Sequence, residues 1–159
     1  MNRLGRVAGV WLLIASLAWS QQPARQTDKE EDSDELRIVV LSGEDGVNIV
    51  KDQTFAQTMV EVRDKNNLPI AGGVAGGLIV TFVVLRGGAA GGQFANGSTQ
   101  LTVTADANGR AVMNGFRPSG NGPVNVEVRA SYQGKTTRTV IRQTNFPTVQ
   151  AALQAGKQP

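Results

Sequence analysis

The 159-residue chain has no cysteine and no histidine. A thiolate nucleophile, an imidazole base and any Cys/His metal site are therefore excluded, and with them most familiar hydrolase mechanisms and all zinc fingers. Aromatic residues make up only 5% of the chain, and both tryptophans, Trp11 and Trp19, fall in the first 20 residues. Long apolar runs are missing too. The run Val7 to Trp19 has 13 residues, short of the roughly 20 that cross a bilayer as a helix.

What the N-terminus does have is a basic start at Arg3 and Arg6, that apolar run, and small residues at Ala18 and Ser20. This pattern predicts a secretory signal peptide over residues 1–20, cleaved after Ser20, and an exported mature chain, periplasmic or extracellular, with no membrane span. Removal of Arg3 and Arg6 with the signal leaves 14 Lys+Arg against 13 Asp+Glu. The charges are segregated. Asp28 to Glu35 holds six acids and one lysine, whereas from Arg86 onward eight basic residues face only Asp106 and Glu127. With no apolar residue to bury across its acidic run, the segment 21–35 is expected to be a disordered acidic leader.

From Leu36 to Phe146 short apolar runs alternate with turn residues, and nothing repeats at a helical period. An all-β domain is expected over 36–146, followed by a flexible C-terminal tail over 147–159. Arg37 to Leu41 opens the domain, and Ala56 to Asp64 follows with Thr58, Val60 and Val62 on one face. Leu78 to Leu85 is apolar on both faces, which predicts a central strand covered on both sides. After the strand around Leu101 and Val103, the turn Asp106-Ala107-Asn108-Gly109 suits a hairpin into Arg110 to Asn114, because Asn and Gly tolerate positive φ. Val124, Val126, Val128, Ala130 and Tyr132 alternate with polar residues, placing Glu127 and Arg129 outward. A last hairpin at Gln133-Gly134 leads into Lys135 to Arg142, whose polarity suits a sheet edge. About seven strands at this spacing predict a two-sheet sandwich of immunoglobulin type.

The segments VEVRDKNNLPIAG (Val60 to Gly72), TADANGRAVM (Thr104 to Met113) and GPVNVEVRASYQG (Gly122 to Gly134) resemble the turns and strands of bacterial immunoglobulin-like domains of the invasin and intimin type. The resemblance spans nearly the whole of 36–146 in a single copy. It implies an immunoglobulin-like sandwich with a binding, adhesive or structural role at the bacterial cell envelope. The glycine-rich segment Gly72 to Gly77 is longer than the link usual in that family.

No residue pattern points to an enzyme, a cofactor or a metal. The glycine-rich segments Gly72 to Gly77 and Gly87 to Gly92 lie at opposite ends of the Leu78 to Leu85 strand and lack the helix and Lys-Ser/Thr of a phosphate cradle. Asp106-x-Asn108 opens like a calcium loop, but Arg110 stands where an oxygen ligand belongs and no glutamate closes it. The acids of the folded region fall mostly in turns or at outward strand positions rather than across a cleft.

The late strands are basic. By alternation Arg129 shares an outer face with Arg138 and Arg142, with Arg117 and Lys135 nearer its ends, and such a face attracts polyanions. Export and the scarcity of stacking aromatics argue against nucleic acid. The expected partner is a protein or polysaccharide of the cell envelope. The alternative is a carbohydrate-recognising accessory domain, for which Phe94, Phe116 and Phe146 are the available stacking rings. The sequence leaves the oligomeric state open.

Overall fold

The computed structural model describes residues 36–72 and 76–157. The expected signal peptide and acidic leader lie outside the described residues. Ten strands and one short helix follow in order: β1 (Leu36–Ser42), β2 (Gly46–Ile49), β3 (Met59–Asp64), β4 (Ile79–Val84), β5 (Gly91–Phe94), β6 (Gln100–Thr104), β7 (Arg110–Val112), β8 (Phe116–Ser119), β9 (Gly122–Tyr132), β10 (Lys135–Phe146) and α1 (Val149–Gln154). They form a three-stranded sheet β1-β3-β7, a five-stranded sheet β2-β10-β9-β4-β6 and a two-stranded ribbon β5-β8.

The all-β expectation holds, and its clearest element is β9. Val124, Val126, Val128 and Ala130 are all buried, as their period of two requires. They meet Val80 and Phe82 of β4, Val60 and Val62 of β3, and Met113 in one apolar core. The inner faces of the three- and five-stranded sheets thus close a sandwich-like core, with each buried valine contributing roughly 1.5–3 kcal/mol. The ribbon adds Phe94 and Phe116, whose rings pack at 5.8 Å. Close approach demands glycine there. A Cβ on Gly92 would lie 2.4 Å from the Phe116 ring, and one on Gly120 would lie 1.9 Å from the carbonyl oxygen of Ala89.

Several expectations are corrected. The strands number ten rather than about seven, because β2, β5 and β8 are only four residues long. β4 is interior to its sheet but not covered on both sides, since Ile79 is 36% exposed and Thr81 and Val83 are half-buried. The turn at 106–109 is present, with the Asp106 carboxylate accepting from the backbone N–H groups of Asn108 and Arg110. Its arms nonetheless separate: β6 pairs with β4 in one sheet and β7 with β3 in the other. The hairpin at Gln133-Gly134 forms as expected, both residues having positive φ (49° and 80°). β10 runs beyond Arg142 to Phe146, and its last four residues pair in parallel with β2. Past it, where a flexible tail was expected, α1 forms behind Thr148, whose hydroxyl accepts from the Ala151 N–H.

The β2–β10 seam is held by amides. Asn48 donates to Gln143 Oε1 (3.1 Å) and Asn145 Oδ1 (3.0 Å), Gln143 donates to Thr58 Oγ1, and Asn145 donates to the carbonyls of Gly91 and Ser119. These side chains are buried. Among the described residues no buried side-chain polar atom lacks a partner. The network ties the five-stranded sheet to the ribbon.

Candidate functional site

Register assembles the outer face of the five-stranded sheet. Arg138 of β10 lies directly opposite Arg129 of β9, which lies opposite Thr81 of β4, which lies opposite Thr102 of β6. The neighbouring row is Val140, Glu127, Val83 and Gln100. Arg142 opposes Asn125 in the same outward phase. The sequence expectation that Arg129, Arg138 and Arg142 share one surface therefore matches their strand positions. Lys135 opens β10 opposite Tyr132, at the hairpin end of the same strand pair.

Glu127 is outward in phase but not exposed. Its side chain is 9% accessible because two half-exposed arginines close over it: Arg129 Nε donates to Oε1, and Arg138 Nη1 lies 3.9 Å from Oε2. Two guanidiniums thus close over one carboxylate, and a second carboxylate, Glu44, approaches the backbone N–H of Arg142 at 3.4 Å. Arg129, Arg138 and Arg142 share this face with exposed Val140 and Ile79.

A second buried carboxylate sits on the outer face of the three-stranded sheet. Glu61 Oε1 accepts from Arg63 Nε at 2.7 Å and Oε2 from Arg110 Nε at 3.0 Å, with the Glu61 side chain 4% accessible. Those two hydrogen bonds, that of Arg63 foremost, hold its carboxyl below the usual glutamate value against the opposing effect of burial. Sequence reasoning gave neither glutamate this role. The signal was available: Val-Glu-Val-Arg occurs twice, at 60–63 and at 126–129.

Arg117 is not part of the basic face. It lies on β8 opposite Gln93 and lines a cleft of about 680 Å³ with Arg86, Gly88, Gln93 and Thr99. Of the three candidate stacking rings, two are buried, and Phe146, the last residue of β10, is half-buried. Phe94 and Phe116 are both 1% exposed, and Phe55 covers Phe116 edge-on at 6.1 Å. Tyr132 is half-buried and lines a smaller cavity of about 340 Å³ with Leu36, Asp64, Lys65, Ile70 and Lys135. Among the described residues no helix is long and apolar enough to cross a membrane. The chain matches no family model, and no curated protein or solved structure proved similar to it.

Proposed function

We propose that this chain is an exported, non-enzymatic module of immunoglobulin type that binds an anionic polymer of the bacterial cell envelope on the outer face of its five-stranded sheet. The strand order supports the immunoglobulin reading. β1-β3-β7 corresponds to the A-B-E side of such a domain, and β10-β9-β4 to its G-F-C side with β6 in the C′ place. The resemblance of Val60 to Gly72 and Gly122 to Gly134 to invasin- and intimin-type domains points the same way. The basic start and apolar run of residues 1–20 support export.

The observation that carries the binding reading is the alignment of Arg129 and Arg138 across β9 and β10 with Arg142 on the same face, two of these three guanidiniums covering the one buried carboxylate, Glu127. Polymer phosphates or uronates would meet these guanidiniums, and exposed ion pairs of this kind weaken as salt shortens the Debye length below about 8 Å. The test is retention on isolated envelope material. Replacing Arg129, Arg138 and Arg142 by Gln, together with Glu127→Gln to remove the carboxylate left uncovered, is expected to abolish retention at low salt. The same variant should change stability by no more than about 1 kcal/mol. Retention that survives both the substitutions and high salt would overturn the reading.

A further inference from the structure

Sheet edges present unpaired backbone N–H and C=O groups, and proteins ordinarily guard them with charge, proline, bulges or brevity. The other edges of the two larger sheets are guarded in this way. β1 carries Arg37 and an irregularity between Val40 and Ser42, and β7 is three residues long with Arg110 at its start. β2 has four residues between the acids Glu44 and Asp45 and the pair Lys51-Asp52. The part of β10 beyond the reach of β2 bears Lys135, Arg138 and Arg142. β6 has none of these devices. Its sequence, Gln-Leu-Thr-Val-Thr, is uncharged, and no charge occurs between Arg86 and Asp106.

Ladder geometry says which groups are open. The Ala105 N–H donates to the Leu78 carbonyl and the Val84 N–H to the Thr99 carbonyl, so residues 99, 101, 103 and 105 direct their backbone groups toward β4. Those of Gln100, Thr102 and Thr104 point away from it. At Gln100 they are met locally: the Ser98 hydroxyl accepts from its N–H at 3.0 Å, and the Asn96 side chain reaches its carbonyl at 3.5 Å. Among the described residues, Thr102 and Thr104 keep two open donors and two open acceptors on an exposed strand. On the inner side of the same strand, Leu101 and Val103 are only partly buried against the core.

We infer that β6 pairs antiparallel with β6 of a second copy of this chain about a two-fold axis at Val103. In that register Thr102 of each copy opposes Thr104 of the other, and each of the two residue pairs exchanges both of its backbone bonds, closing every group left open while the caps at Gln100 stay in place. The two Val103 side chains meet on the core side, and Leu101 faces Ala105 of the other copy. The five-stranded sheets join into one. A second copy fits this edge because it is uncharged and matches itself, whereas the stretch of β10 that precedes its pairing with β2, which bears Arg138 and Arg142, would repel its own copy.

The test compares two double variants at the same exposed positions by sedimentation velocity and native mass spectrometry of the purified protein. Wild type is expected to dimerise with rising concentration, and the amide of Thr102 to exchange more slowly in the dimer. Thr102→Lys/Thr104→Lys sets like charges opposite one another at both pairs and should weaken the dimer at least about tenfold. Thr102→Lys/Thr104→Glu sets opposite charges there and should keep it. Both variants should melt with the wild type at concentrations where all are monomeric. A wild-type chain that stays monomeric at its solubility limit, or two variants that dimerise equally, would overturn the inference, the second result pointing to a different surface.

Discussion

Two guanidiniums close over each of Glu61 and Glu127, and the two sites answer differently to perturbation. Because the folded pKa of Glu61 is depressed below the 4.5 of a free glutamate, its contribution to stability is fully present above that value. It is lost as pH falls from there through the lowered folded pKa. Glu61→Gln should therefore melt below wild type at neutral pH, and the gap should close as the medium is acidified past about 4.5. A gap independent of pH would show that the ion pairs add nothing. At Glu127, alternation alone suggests a freely replaceable surface residue, but the arginine cover changes that expectation. Glu127→Lys places a third cation beneath Arg129 and Arg138 and should cost about 1 kcal/mol. Val128→Asp buries a carboxylate at a fully buried position and should cost about 3 kcal/mol or more. Denaturant titration separates the two. Equal losses would mean that the facing of β9 is misassigned.

Elements differ in how legible they were, for physical reasons. β9 was plain because apolar and polar residues alternate without a break from Val124 to Tyr132. The twin segments Val60–Arg63 and Val126–Arg129 each hold the middle of a sheet, with valines inward and a Glu-x-Arg pair outward. β5 was hidden because Gly91-Gly92 reads as loop, and β8 because Pro118 interrupts its pattern. The separation of β6 from β7 was beyond local reasoning, since the bonds of the Asp106–Arg110 turn are complete within the turn itself, whatever its arms pair with. The inward phase of late β10 is polar, Gln143 and Asn145, so hydrophobic periodicity gave no hint that the strand continues. Those amides depend on Asn48. Asn48→Ala would orphan the Gln143 and Asn145 acceptors and the Ala56 N–H, at a cost of about 1–3 kcal/mol. Amide exchange at Val47 and Ile49 should accelerate with it. Unchanged protection there would show that β2 is held without the network.

At the scale of the whole molecule, an early and a late strand of the described chain lie side by side. Gly46–Ile49 sits on Gln143–Phe146, and pairings so distant in sequence slow folding, to the millisecond-to-second range typical of β-sandwiches. The candidate basic face was legible as a set of residues, Arg129, Arg138 and Arg142, while Arg117 was not separable from it until β8 was found in the ribbon. The parallel sense of the β2–β10 contact has a mechanical meaning. Tension applied through residues 36 and 157 draws β2 toward its beginning and β10 toward its end, and for parallel neighbours those directions are opposite. The seam is then loaded in shear, with its backbone bonds and the Asn48 bridges strained together instead of being peeled apart singly. In single-molecule stretching, the domain should yield in one abrupt event at high force, and Asn48→Ala should lower that force. A gradual low-force extension would show that the load bypasses the seam.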